Sequence, residues 1–114
     1  FEIEAPGKIR RARNASLWSK DRLVAGLPGH QLFDSLAVDG AGNICVATIV
    51  NGGITVIAPD GSKIEHVAMP DALTTNLCFG GRNLRTAYIT LSATGKLVAT
   101  EWPRPGLPLN FLNR

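Results

Sequence analysis

Residues able to do chemistry are few in this chain, and they gather in two short stretches. The first runs His30-Gln31-Leu32-Phe33-Asp34-Ser35-Leu36-Ala37-Val38 and sets a carboxylate before an apolar run, with an imidazole just upstream. The second, Thr74-Thr75-Asn76-Leu77-Cys78-Phe79, places hydroxyls and a carboxamide before another apolar run. Read from the residues alone, an aspartate ahead of a strand most simply caps a nearby backbone N–H. A lone loop histidine such as His30 can contact a substrate or assist proton transfer, but is more often just solvated. Thr75 and Asn76 suit hydrogen bonding to a polar ligand, or to backbone groups at the strand start.

The other reactive types read as structural. Asp39 and Asp60 stand in "VDGAGN" and "PDGS", where aspartate before glycine follows from turn geometry. Cys45 and Cys78 lie inside apolar runs with no C-x-x-C or zinc spacing, so both are expected to be small buried hydrophobes, reduced in a cytoplasmic setting. His66, Trp18 and Trp102 are expected to pack.

Composition narrows the class. The chain has 114 residues, 45% hydrophobic and 18% charged, which suits one folded domain. No apolar run approaches the roughly 20 residues of a membrane helix, and no signal-peptide pattern is present. The net charge of +3 arises in residues 1–26. The basic "KIRRAR" there lacks interleaved aromatics or any base-reading motif, so nucleic-acid binding is not expected and a solvated sheet edge is. "NAS" fits a glycosylation sequon without other support, and the spacing in "WPRPGLP" suits a tail sealing a domain.

The elements that must hold these residues are strands. Turn signals recur along the chain, among them "GLPG", "DGAGN", "NGG", "PDGS" and "FGGRN", with Val-, Ile-, Thr- and Leu-rich runs between them. That pattern predicts an all-β fold with both sheet faces covered. Leu36-Ala37-Val38-Asp39-Gly40 overlays Leu77-Cys78-Phe79-Gly80-Gly81, and Val46-Ala47-Thr48 overlays Tyr88-Ile89-Thr90. A repeat of about 41 to 42 residues is the length of a four-stranded propeller blade. The expected division is therefore residues 1–26 as outer strands of a preceding blade, 27–70 as a complete blade carrying Asp34, and 71–114 as a last blade with a tail. About two and a half blades cannot close a ring that needs four to eight. The opening on Phe1 agrees with a piece of a longer protein, completed by missing blades or by a second copy of the chain.

The segments "FDSLAVDGAGNICVAT", "NGGITVIAPDGSKIEHVAMP", "TTNLCFGGRNLRTAYIT" and "GKLVATEWPRPGLPLNF" together resemble, in order, the C-terminal portion of the SMP-30/gluconolactonase/LRE-like family. The resemblance implies a six-bladed propeller that hydrolyses a lactone, of the sugar type in gluconolactonases, with one divalent metal. It implies that Asp34, which opens an inner strand, is a metal ligand and can accept a proton from bound water. Thr75, Asn76 and His30 become candidates for substrate contact. Calcium is the expected ion, with zinc, magnesium or manganese as alternatives. Two departures stand out. The family's Pro-Asp-Gly is Phe33-Asp34-Ser35 here, and its other two principal ligands, a glutamate and an asparagine, have no counterpart in this chain. A non-catalytic fragment, or a binding or self-assembly module, is the alternative reading.

Overall fold

The computed structural model describes residues 3–9 and 23–110. The first part of the chain forms a short hairpin, β1 (Ile3–Ala5) with β2 (Lys8–Ile9). Residues 1–2 and 10–22 of the expected preceding blade, Trp18 among them, lie outside the described residues.

Seven further strands make two antiparallel sheets, with no helix among the described residues. One sheet holds β3 (Leu32–Val38), β4 (Ile44–Ile49), β5 (Gly53–Ile57) and β6 (Ile64–Ala68), in that spatial order. The other holds β7 (Thr74–Gly80), β8 (Thr86–Leu91) and β9 (Lys96–Glu101). Each sheet is a meander of neighbours joined by tight turns. Gly52 and Gly95 occupy matching turns at φ 68° and 64°, a conformation glycine adopts without the Cβ clash that other residues meet.

The sheets pack face to face, and their contacts concentrate along β3, β4 and β7. They converge at their first strands and spread apart outward, as blades do around an axis. The architecture is a partial all-β propeller. Alternation along the strands puts Cys45, Ala47, Ile54 and Val56 on the face that meets Leu77, Ala87, Ile89 and Leu91 of the second sheet. Trp102, only 2% exposed, fills the end of this core and meets Phe79 at a ring separation of 6.0 Å. Removing one methylene from the centre, as in Ile89→Val, should cost about 0.5–1.5 kcal/mol, read as a lower denaturant midpoint at unchanged m.

Four expectations need correcting. Among the described residues the second sheet has three strands rather than four, because Trp102-Pro103-Arg104-Pro105-Gly106-Leu107-Pro108 cannot supply a ladder of N–H donors. The segment instead crosses back toward the other sheet: the Gly106 N–H donates to Leu84 in the β7–β8 connection, and the Leu107 N–H to Val38 on β3. The repeat shift is 41 residues from β3 to β7 but 43 from β4 to β8, since Leu36 pairs with Val46 and Leu77 with Ile89. The overlay of Val46 on Tyr88, an offset of 42, is therefore one residue short and reverses the faces of β8. Finally, the outward face of the second sheet is open: Tyr88 is 37% and Leu97 68% exposed. Cys78, on the inner strand β7, is likewise exposed, not buried as its apolar neighbours suggested.

Candidate functional site

Asp34 lies on β3, the innermost strand of its sheet. Phe33 pairs with Thr48 and Leu36 with Val46, so Asp34 and Ser35 together oppose Ala47. This is a β-bulge, a device that re-aims a side chain and is common beside active sites. On β7 Thr74 pairs with Leu91 and Asn76 with Thr90, which leaves Thr75 as the extra residue. The two sheets carry the same irregularity at equivalent positions, and the residues in it are Asp34 and Thr75.

The neighbours of these two side chains differ. Thr75 Oγ lies 3.0 Å from Thr90 Oγ and 2.6 Å from Ser92 Oγ, a closed cluster of hydroxyls. Positions equivalent to Thr90 and Ser92 in the first sheet are Ala47 and Ile49, which offer no polar group. Asp34 is exposed, and its carboxylate takes no hydrogen bond or ion pair from the described residues. Its capping alternative finds no N–H among them. Asn76, next to Thr75, is exposed, and so is His30, on the bend that leads into β3.

The other described aspartates are all engaged. Asp60 accepts the N–H and hydroxyl of Ser62 at 3.0 and 2.7 Å, the turn role expected of it. Asp39 accepts the N–H groups of Ala41 and Asn43 and the Asn43 side chain, as a turn aspartate should. It also takes an unforeseen ion pair from Arg104 Nε at 2.6 Å. Asp71, unremarked in the sequence beyond its turn, is buried and accepts from Leu73 N, Thr94 N and Thr94 Oγ. Burial opposes its charge, but these bonds outweigh that and hold its carboxyl below the usual range. Asp71 thereby ties down the turn after β8, close to Ser92 and so to Thr75. Asp71 follows Met69-Pro70 in a turn-like stretch, which does not reveal a partner 23 residues further along.

His66, on β6, points its Nδ1 at the Thr55 hydroxyl at 3.3 Å, and Thr55 meets Thr48 at 2.7 Å. Cys45 is buried, and desolvation, helped by the charge of Asp39, pushes its thiol up to about 11. Alkylation at about pH 8 should therefore modify Cys78 and spare Cys45 until the chain unfolds, a difference that mass spectrometry of the labelled peptides would read.

The model for the SMP-30/gluconolactonase/LRE-like region matches residues 8–93. The chain belongs to this family. Among similar proteins, a 6-deoxy-6-sulfogluconolactonase from Pseudomonas putida is 33% identical over 75 residues, covering 64% of this chain and 26% of that protein. Regucalcin from Homo sapiens is 32% identical over 66 residues, 57% of this chain and 22% of its own. Regucalcin from Gallus gallus is 31% identical over 97 residues, 84% and 29% respectively. The chain thus spans less than a third of the length of these family members. No three His, Cys, Asp or Glu side chains come together as a cation-binding group among the described residues. Asp34 supplies one anionic oxygen donor, and the described residues do not complete a metal site around it.

Proposed function

We propose that this chain is part of a lactonase-type propeller that hydrolyses a sugar-type lactone to its hydroxy acid. The relative named for a gluconolactone activity supports the substrate class. The observation that carries the reading is the free carboxylate of Asp34, held in a bulge on the innermost strand while every other described aspartate is committed to a turn.

In this reading Asp34 takes the proton of a water as the water oxygen adds to the lactone carbonyl. The ring C–O bond then breaks, and the proton passes to the departing ring oxygen, leaving the hydroxy acid. Asn76 and the hydroxyls around Thr75 donate to or accept from the substrate's own hydroxyls, with His30 at the edge of the mouth. A divalent cation belongs to the proposal, calcium by preference for carboxylate oxygen, with zinc, magnesium or manganese as alternatives. Its remaining ligands would come from outside the described residues.

The test compares this chain with a version extended at its N-terminus by the rest of the ring. Terbium luminescence reads cation binding, and a pH-stat reads glucono-δ-lactone hydrolysis. Binding and turnover in the extended form, both lost on chelation and both restored by calcium, support the proposal. Full turnover in the presence of chelator would remove the metal from it.

A second reading, a self-assembly module, is favoured by the open face that carries Tyr88 and Leu97. It predicts a concentration-dependent dimer by light scattering, and a folded monomer at all concentrations rejects it.

A further inference from the structure

Past Asp34 and Asn76 both inner strands turn apolar. Leu36 on β3 and Leu77 on β7 follow within two residues, a distance on the order of 3–7 Å at the rise of a strand. A cavity of about 370 Å³ runs along β3 from Leu36 to Val38 and along β7 from Leu77 to Phe79, with Leu107 and Leu109 of the C-terminal segment beside it. Its size falls within the roughly 300–1,000 Å³ of small-molecule sites. No charged or hydroxyl-bearing side chain lines it. A sugar ring placed there would leave its hydroxyls without partners, which is costly, whereas an alkyl chain would be removed from water at no such cost.

We propose that the slot between β3 and β7 receives the aliphatic side chain of a lactone, or of its hydroxy acid, with the polar head at the mouth beside Asp34 and Asn76. The head group rests on the lactone reading above; the tail is new and shifts the expected substrate from a bare sugar lactone to one bearing an alkyl group. Leu36, 58% exposed as the structure stands, becomes a specificity-determining residue on this account.

Cys78 lines the slot and is exposed, and the sequence's one other thiol, Cys45, is buried. Modification of Cys78 in the full chain by N-ethylmaleimide, followed by mass spectrometry, therefore reports occupancy without any turnover. Saturating γ-decalactone should slow the modification by about tenfold or more, as bound ligand excludes reagent, and glucono-δ-lactone should leave it within about twofold. Leu36→Glu should abolish the protection while keeping the wild-type denaturation midpoint. Equal protection by the two lactones, none by γ-decalactone, or protection that survives Leu36→Glu would overturn the proposal. So would protection that grows with protein concentration in the absence of lactone, which would put a second copy over the slot. A failure of the catalytic reading would show up separately, as hydrolysis indifferent to Asp34.

Discussion

Replacing Asp34 by alanine in a complete propeller built from this chain is expected to lower lactone hydrolysis by at least about a hundredfold, the usual worth of a positioned proton acceptor. Folding stability should stay within about 0.5 kcal/mol of the parent, as for surface substitutions away from caps and cores. The two halves of this prediction come from the same observation. Asp34 is exposed, sits in a bulge, and takes no hydrogen bond from the described residues, so no folded contact is lost with it. Asp34→Asn keeps the shape and removes the charge, and should be nearly as inactive. Were Asp34 a cap after all, the pattern would invert: Asp34→Ala would lower the denaturation midpoint and leave kcat/KM close to that of the parent. Measuring both quantities on the same preparations separates the two.

How far the sequence reached can be seen at this same bulge. Strand positions were legible because Val, Ile and Thr runs alternate between glycine-bearing turns, and the inner-strand overlay of Thr75 on Asp34 places the two in matching bulges. The overlay of Val46 on Tyr88 was one residue out. Two apolar strands can be slid by one without losing hydrophobic matches, and only the pairing of Leu77 with Ile89 fixes which side chains face the core. Cys78 was misjudged for a related reason. Its apolar neighbours mark a strand, but whether its face is covered depends on a neighbouring sheet that the local sequence does not encode. The free state of Asp34 was legible only in part. Its contrast with Thr75 arises from Ala47 and Ile49 standing where Thr90 and Ser92 stand in the other sheet, a comparison that needs the correct register first. The Asp71 clasp and the Arg104 ion pair were out of reach, since both join residues far apart in the chain.

That ion pair carries the largest stability effect expected of the chain. Asp39 is fully buried in the β3–β4 turn, and Arg104, arriving from beyond β9, donates its Nε at 2.6 Å. The same crossing segment gives a Gly40 N–H to Pro105 O bond at 2.7 Å, so the contact fastens the end of one sheet to the chain leaving the other. Arg104→Met keeps much of the side chain's bulk and removes its charge, leaving a buried carboxylate supported by Asn43 and Ala41 alone. Such uncompensated charges cost roughly 3–5 kcal/mol. The pH dependence identifies the cause. Burial opposes ionisation of Asp39, but the side-chain bonds from Asn43 and Arg104 and the backbone N–H groups of Asn43 and Ala41 outweigh it, so its carboxyl titrates below the ordinary 3.8. A depressed carboxyl stabilises the fold above that ordinary value and ceases to do so as pH falls through the lower folded one. In Arg104→Met the desolvation is no longer offset to the same degree, the carboxyl moves upward, and protonation relieves the buried charge. The stability gap between parent and variant should therefore be widest near neutrality and close below about pH 4. Denaturant unfolding at a series of pH values would show it, and a gap that stays constant into acid would mean that Arg104 acts through packing of its methylenes instead.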